Sequence, residues 1–456
     1  MTASAEVSEM MKQLSTYIAT ARGKPLPRDV VLRAKLHLLD TLAAMVSGSR
    51  LVAGRRAIGY AKTLGGAREA CVIGTRMVTT AVNAALINGI FAHADETDDS
   101  HAASITHPGA GVVPAALAVA ERYRRDGTAL LRAVVLGYDI GPRLMMSLVP
   151  LEFFWRGHHA PSFGNVFGAA AAAAALVRLD PRRVRYMLSY TAQQAAGLAT
   201  MLRDPEHMEK AFGMGGMPAH NGVLAALLAA HDFTGVADVF SGNRNFFFTF
   251  SPDAKPGVLT HELGRTYEIM NASIKKWPVG APILACLGAI ETLRQNNTFK
   301  SEDVEKVIVT VAEKEAPVVD NRALPDISMQ HLVALMLLDG GLTFKSAHDF
   351  KRMRDPRVVR FKKRITLIGS PKLTDVKRRW HGEVEIALRD GRTLKHYTHA
   401  VRGSSYNPIT PEEENAKALD LLAPVLGRRR AGLLIEAVWC IEKIKDMRKF
   451  RSLCRV

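Results

Sequence analysis

Residues 163–178 read FGNVFGAAAAAAALVR, and the seven consecutive alanines from Ala169 to Ala175 decide how the first half of the chain is read. Alanine is the strongest helix former and carries almost no side-chain bulk, so this stretch predicts a buried central helix that lets neighbouring backbones come close. Segments on either side share its texture. In 28–48, RDVVLRAKLHLLDTLAAMVSG, Val31, Ala34, Leu38 and Leu42 recur at helical spacing before Gly48, a natural stop. Further helices are expected near 79–93, 109–124, 128–147 and 182–198, which makes most of the first 240 or so residues bundle core.

From about residue 268 the pattern changes. Residues 305–312, EKVIVTVA, alternate like a half-buried strand, and 382–389 and 392–400 flank Asp390-Gly391, a dipeptide favoured in tight hairpins. Thr410-Pro-Glu-Glu413 has the form of a capping box with proline at the first helical position. The expected fold is mainly α with a smaller α+β domain: a large helical domain from both chain ends (1–267 and 405–456) and an inserted α+β lid domain (268–404). No solenoid repeat or long low-complexity linker is present.

Composition narrows the class. A hydrophobic share of 48% against 23% charged residues fits a globular enzyme and excludes a disordered or fibrous chain. The four cysteines, Cys71, Cys286, Cys440 and Cys454, form no C-x-x-C, so neither a disulfide framework nor a zinc ribbon is legible, and a reducing compartment is expected. The start, MTASAEVSE, lacks a secretory signal's basic and apolar regions, and no apolar run approaches the ~20 residues that span a bilayer. A cytoplasmic location with no membrane partner follows as the expectation. The net charge of +17 favours anionic partners, but Arg428-Arg-Arg430 and the 443–451 cluster come without any nucleic-acid recognition motif.

The chemistry concentrates in four places. The loop His93-Ala-Asp-Glu-Thr-Asp-Asp-Ser-His101, continuing to His107-Pro108, packs three imidazoles and the acids Asp95, Glu96, Asp98 and Asp99 into fifteen residues, at the end of a helix where proton transfer or metal binding is well served. Its members have ordinary roles too: Asp99 and Ser100 could cap the next turn, and His93 could be a satisfied core histidine. Arg156-Gly-His-His159 opens the alanine-rich helix, and its histidines could be surface or capping residues. Lys210, in Glu209-Lys210-Ala-Phe-Gly-Met-Gly-Gly, and Lys275, in Ser273-Ile-Lys275-Lys276-Trp-Pro278, stand beside tight backbone and could pair with substrate carboxylates. The glycines at 213–216 match neither a Walker loop nor a dinucleotide fingerprint.

Together these segments resemble the MmgE/PrpD family, which includes 2-methylcitrate dehydratase, cis-aconitate decarboxylase and iminodisuccinate epimerase. The resemblance begins at Leu38-Leu-Asp-Thr-Leu42 and takes in Asn88-Gly-Ile-Phe-Ala-His93, the acidic loop, His107-Pro-Gly-Ala and Gly-His-His159. It goes on through Lys210 and its glycines, Lys275-Lys-Trp-Pro278, Leu338-Asp-Gly340 and Asn407-Pro-Ile-Thr-Pro411. It implies a homodimer without metal or organic cofactor that acts on a small polycarboxylate. It also implies a site between the two domains. His107, His159, Glu96, Ser100 and Lys210 would be catalytic, and Lys210, Lys275, His93 and Asp99 would bind substrate. Glu96 stands where the family usually has Asp, and Ser100 where it usually has Thr. On this reading His159 and His107 share the acid and base roles, the lysines hold carboxylates, and Glu96 and Ser100 orient a histidine or a substrate hydroxyl. The expected reaction is loss of water or carbon dioxide, with epimerisation as the alternative on the same scaffold. Two rivals are a metal-dependent hydrolase built on the 93–101 loop, which lacks H-E-x-x-H or comparable spacing, and a basic nucleic-acid-binding protein, which rests on charge alone.

Overall fold

The computed structural model describes residues 7–374 and 380–456, so the reading of the N-terminal start lies, up to residue 6, outside the described residues. The chain forms two compact units. The first comprises residues up to Ala94, Asp98–Ala272 and Leu421–Val456; the second comprises Asp95–Thr97 and Ser273–Asp420.

The first unit is helical. Its principal helices are α1 (Arg28–Gly48), α2 (Ala81–Ala92), α3 (Pro108–Arg122), α4 (Gly127–Ser147), α5 (Ala160–Val177) and α6 (Met217–Ala230). Helix α5 lies at the centre, packed on α3, α4 and α6, and every residue from Ala160 to Leu176 is buried. Its small side chains explain that position. A Cβ added to Gly168 would lie 2.6 Å from the Gly137 carbonyl oxygen of α4, and one added to Gly141 would lie 2.6 Å from the Gly164 carbonyl oxygen of α5. Glycines four residues apart on each helix therefore let the two backbones touch, and any larger residue would push them apart. Among the described residues α5 is also the one helix long and apolar enough to cross a membrane, and here it is enclosed by protein.

Prolines and caps set the helix starts. Pro108, Pro161 and Pro218 occupy first-turn positions, where a missing N–H costs nothing. The Thr80 hydroxyl accepts from Asn83 N, and Asp126 accepts from Ala129 N. Helices α3 and α5 differ: histidines, His107 and His159, hold the N-cap positions and neither side chain caps. The following prolines lessen the need for a cap, which leaves both imidazoles available for other partners.

The second unit is built on a four-stranded sheet. Strands β1 (Val304–Ala312), β2 (Ile365–Ser370), β3 (Gly382–Leu388) and β4 (Thr393–Thr398) lie in the order β2-β1-β3-β4. Strands β3 and β4 form the hairpin anticipated at Asp390-Gly391, with Gly391 at φ +91°. Strand β2 has no counterpart in the sequence reading. It runs parallel to β1 along the sheet edge, and half of its residues face solvent, so its alternation is faint. Helices α7 (Leu284–Asn296) and α8 (Met329–Leu338) share a core with the inward residues Val307, Val309, Val384 and Ile386. The capping box at Thr410 is present: Thr410 N donates to Glu413 Oε2 at 2.9 Å, and Glu413 N donates to Thr410 Oγ1 at 3.2 Å, opening helix α9 (Pro411–Leu426).

Candidate active site

The first unit gathers His93, Asp98, His107, His159, His207 and Lys210. Helix α2 ends at Ala92 and delivers His93, fully buried, into the acidic loop. Its Nδ1 lies 2.9 Å from both oxygens of Asp98, and His107 Nδ1 lies 3.4 Å from Asp98 Oδ2 on the other side. The two rings meet edge to face with centroids 5.0 Å apart. Burial disfavours a charge on Asp98, but the two imidazoles outweigh it and hold the carboxyl well below the usual carboxylate range. An ionised Asp98 accepts Nδ1–H from His93 and faces His107 Nδ1 at 3.4 Å, so that each Nε2 faces elsewhere; a buried carboxylate of this kind orients an imidazole and fixes its tautomer.

His159 is held differently. Its Nδ1 is 2.7 Å from Ser162 Oγ, one turn into α5, and the Ser162 hydroxyl donates to the Gly213 carbonyl oxygen at 2.7 Å. A hydroxyl has one proton, so the bond to Gly213 obliges Ser162 to accept from His159, and this network assigns the proton of the neutral ring to Nδ1. Nε2 then carries the lone pair; it is buried and, among the described residues, has no hydrogen-bond partner. Burial above all, then Lys210, His93 and His107, push the His159 imidazole well below its ordinary value. The ring is neutral at physiological pH and presents a desolvated base.

The glycine-rich stretch after Lys210 supports this geometry. Phe212–Gly216 form a π-helical turn, a feature concentrated at functional sites. Gly215 has no room for a side chain, since a Cβ would meet the Gly89 carbonyl oxygen of α2 at 2.0 Å. The glycines thus serve close packing, and the wider turn offers the Gly213 and Met214 carbonyls to Ser162 and Asn165. Asn165 Nδ2 also donates to the His107 carbonyl oxygen at 2.9 Å, tying the two histidine-bearing helix starts together.

Other members of the loop have different duties. Asp99 accepts from His37 Nδ1 at 2.6 Å, from Tyr138 Oη at 2.6 Å and from Gly109 N at 3.0 Å, all buried. It ties α1, α4 and the first turn of α3 to the loop, as the capping alternative anticipated, and these bonds occupy both its oxygens. Ser100 is buried with its hydroxyl unpartnered among the described residues. His101 bonds Ser104 at 2.8 Å and Glu268 at 3.2 Å. In the second unit, Lys275, 1% exposed, donates from Nζ to the Glu96 carbonyl oxygen at 2.7 Å and lies 3.5 Å from Glu96 Oε2.

Sequence reasoning gave Asp98, Ser162, Asn165 and His207 no specific role. The His207 ring lies tilted against His93 with centroids 5.1 Å apart, and His207 adopts φ +61°, a left-handed conformation uncommon outside glycine and frequent at functional sites. Its place three residues before Lys210 was the available signal. His93, Asp98 and His107 also present nitrogen and oxygen atoms all within 4.8 Å of one another, a set that could hold a cation. The separations of 2.9 and 3.4 Å are equally those of imidazoles facing a carboxylate.

Comparison with known proteins agrees with this architecture. Over 300 residues the chain is 30% identical to the cis-aconitate decarboxylase-like protein oryM of Aspergillus oryzae, a match covering 62% of this chain and 60% of that protein's length. It is 24% identical to the cis-aconitate decarboxylase of Homo sapiens over 98% of this chain and 95% of that one, and 23% identical to that of Aspergillus terreus over 92% and 91%. The MmgE/PrpD N-terminal domain model matches residues 12–259 and the C-terminal domain model residues 277–443. With both models matched in order along nearly the whole sequence, the chain belongs to the MmgE/PrpD family of enzymes.

Proposed function

We propose that this enzyme is a lyase that removes water or carbon dioxide from a small di- or tricarboxylic acid, without an organic cofactor. One observation carries the reading: His159 Nε2 is a buried, neutral base, unpartnered among the described residues, in the same unit as the Lys210 ammonium. Taking a proton from a carbon next to a carboxylate builds negative charge, so a base needs a cation nearby to stabilise the product of its own step. The names of the similar proteins, all cis-aconitate decarboxylases or like them, point to the same substrate class.

In the proposed dehydration, His159 Nε2 takes the proton from carbon while Lys210 binds the neighbouring carboxylate. His107, oriented through Nδ1 by Asp98, returns a proton from Nε2, a role the ring fills while it carries protons on both nitrogens. In dehydration the leaving hydroxyl receives it as the carbon–oxygen bond breaks. In decarboxylation no proton is first taken from carbon: the carbon–carbon bond breaks, its electron pair stays on the substrate carbon skeleton as carbon dioxide leaves, and the skeleton takes up the one proton from His107 Nε2. Lys275 supplies a further ammonium for binding, held beside the Glu96 carboxylate.

The test is a screen of citrate, 2-methylcitrate, cis-aconitate and iminodisuccinate with purified protein in deuterated water, followed by NMR. Net loss of water or carbon dioxide from one of them is expected. Deuterium exchange without net conversion would favour epimerisation, and no change in any acid would overturn the reading. Lys275→Ala is further expected to weaken a polycarboxylate inhibitor about tenfold or more, since a charge-assisted contact is lost; unchanged affinity by calorimetry would remove Lys275 from substrate binding.

A further inference from the structure

The second unit holds three consecutive residues of the acidic loop, and each is gripped by a different cationic side chain. Asp95 Oδ2 lies 2.9 Å from His348 Nε2, the Glu96 carbonyl oxygen accepts from Lys275 Nζ at 2.7 Å, and the Thr97 carbonyl oxygen accepts from Lys417 Nζ at 3.2 Å. The three cations come from separate parts of the chain, after Ala272, after α8 and on α9. We propose that His348 and Lys417 are positioning residues: with Lys275 they clamp Asp95-Glu96-Thr97 so that the Glu96 carboxylate and the Lys275 ammonium are presented as a fixed pair. This deepens the functional reading above, in which that pair helps bind the substrate.

The chemistry of His348 supports a charged clamp. Its Nδ1 is 2.8 Å from the Phe344 carbonyl oxygen, which can only accept, and its Nε2 faces the Asp95 carboxylate, with Asp326 Oδ2 at 3.8 Å. Both nitrogens therefore carry protons, and the ring is an imidazolium. The charged groups facing it are Asp95, beside the ring, and Asp326 in the turn Pro325–Ile327. Asp95 is itself shaped locally, accepting from Thr97 Oγ1 at 2.6 Å and Thr97 N at 3.1 Å, so the segment is a closed turn before the cations reach it. Asp95, Glu96 and Asp326 thus face His348, Lys275 and Lys417. All but His348 are under 9% exposed, and the His348 side chain is 15% exposed.

Stability alone is a poor reason for such a cluster. Desolvating several charges costs as much as their attraction returns, and apolar residues of similar size would hold the segment at least as well. What ionic and directional bonds add is a single orientation.

Protonation gives the clamp a pH signature. Burial works against the charged ring, but Asp95 and Asp326 outweigh it and raise His348 from 6.5 to about 9. A histidine raised in the folded state contributes stability in full below pH 6.5 and loses it as pH rises through about 9.

Hydrogen exchange of the full chain, read by mass spectrometry, tests the proposal without reference to activity. At pH 7 His348→Gln, Asp95→Asn and Lys417→Met should each speed exchange across 95–97 roughly tenfold or more, while peptides from α2 and α3 keep wild-type rates. Should a variant unfold, the wild type alone decides: after correction for intrinsic base catalysis, protection of 95–97 must fall as pH passes about 9. Unchanged exchange in the variants, or protection flat across that pH range, overturns the clamp. If the chain turns over a polycarboxylate, His348→Gln should raise KM more than it lowers kcat. A clamp seen by exchange in a chain inert toward every acid would sink the functional reading and leave the clamp standing; turnover with unchanged exchange would do the reverse.

Discussion

His159→Ala is expected to lower turnover about 100- to 10,000-fold, the usual contribution of a positioned acid or base, and to leave the helical unit folded. The ring sits at the N-cap of α5 without capping it, so its loss removes no helix-starting bond. What disappears is the Nε2 lone pair that Ser162 and Gly213 hold ready through Nδ1. The pH profile should carry a signature. Burial and the cationic surroundings hold His159 well below 6.5, so the acidic limb of kcat/KM lies below that value, where the base takes up a proton. The linkage sign agrees: a histidine depressed in the folded state adds stability above pH 6.5 that is lost as pH falls. Steady-state kinetics beside far-UV circular dichroism would check both parts, and wild-type turnover in a folded variant would remove His159 from the reaction.

Asp98→Asn should be nearly as damaging, with a loss of roughly 100-fold or more in turnover. An amide carries no charge and its nitrogen only donates, so with its oxygen at the Oδ2 position it places an NH2 group where Oδ1 now lies, 2.9 Å from His93 Nδ1. His93 must then turn or exchange its tautomer, and His107 loses the carboxylate that orients it for delivery from Nε2. Asp99→Asn disturbs a different triad, His37, Tyr138 and Gly109, and should show its effect mainly in thermal stability. Comparing kcat and melting temperature for the two variants separates chemistry from support; equal losses of both quantities in both variants would argue against the division.

That division was beyond the reach of sequence. Asp98 and Asp99 are adjacent and identical, and only the backbone path sends one toward His93 and the other toward Tyr138. The large features were legible because they rest on local rules. The alanine run, Asp390-Gly391 and Thr410-Pro-Glu-Glu413 each dictate a conformation within a few residues. Strand β2 escaped because an edge strand half in water loses its alternation. Clustering His107, His159 and Lys210 followed from family resemblance rather than spacing, since their contacts cross fifty residues or more. His348 and Lys417 carried no local signal: each finds its partner more than two hundred residues away.

The most direct measurement concerns one proton. In protein labelled with nitrogen-15 in histidine, long-range proton–nitrogen correlation spectra distinguish the two neutral tautomers and the imidazolium. At pH 6.5 the His159 signals, assigned by their loss in His159→Ala, should show a neutral ring protonated at Nδ1 and bare at Nε2. An imidazolium, or a ring protonated at Nε2, would contradict the assignment of His159 as the base.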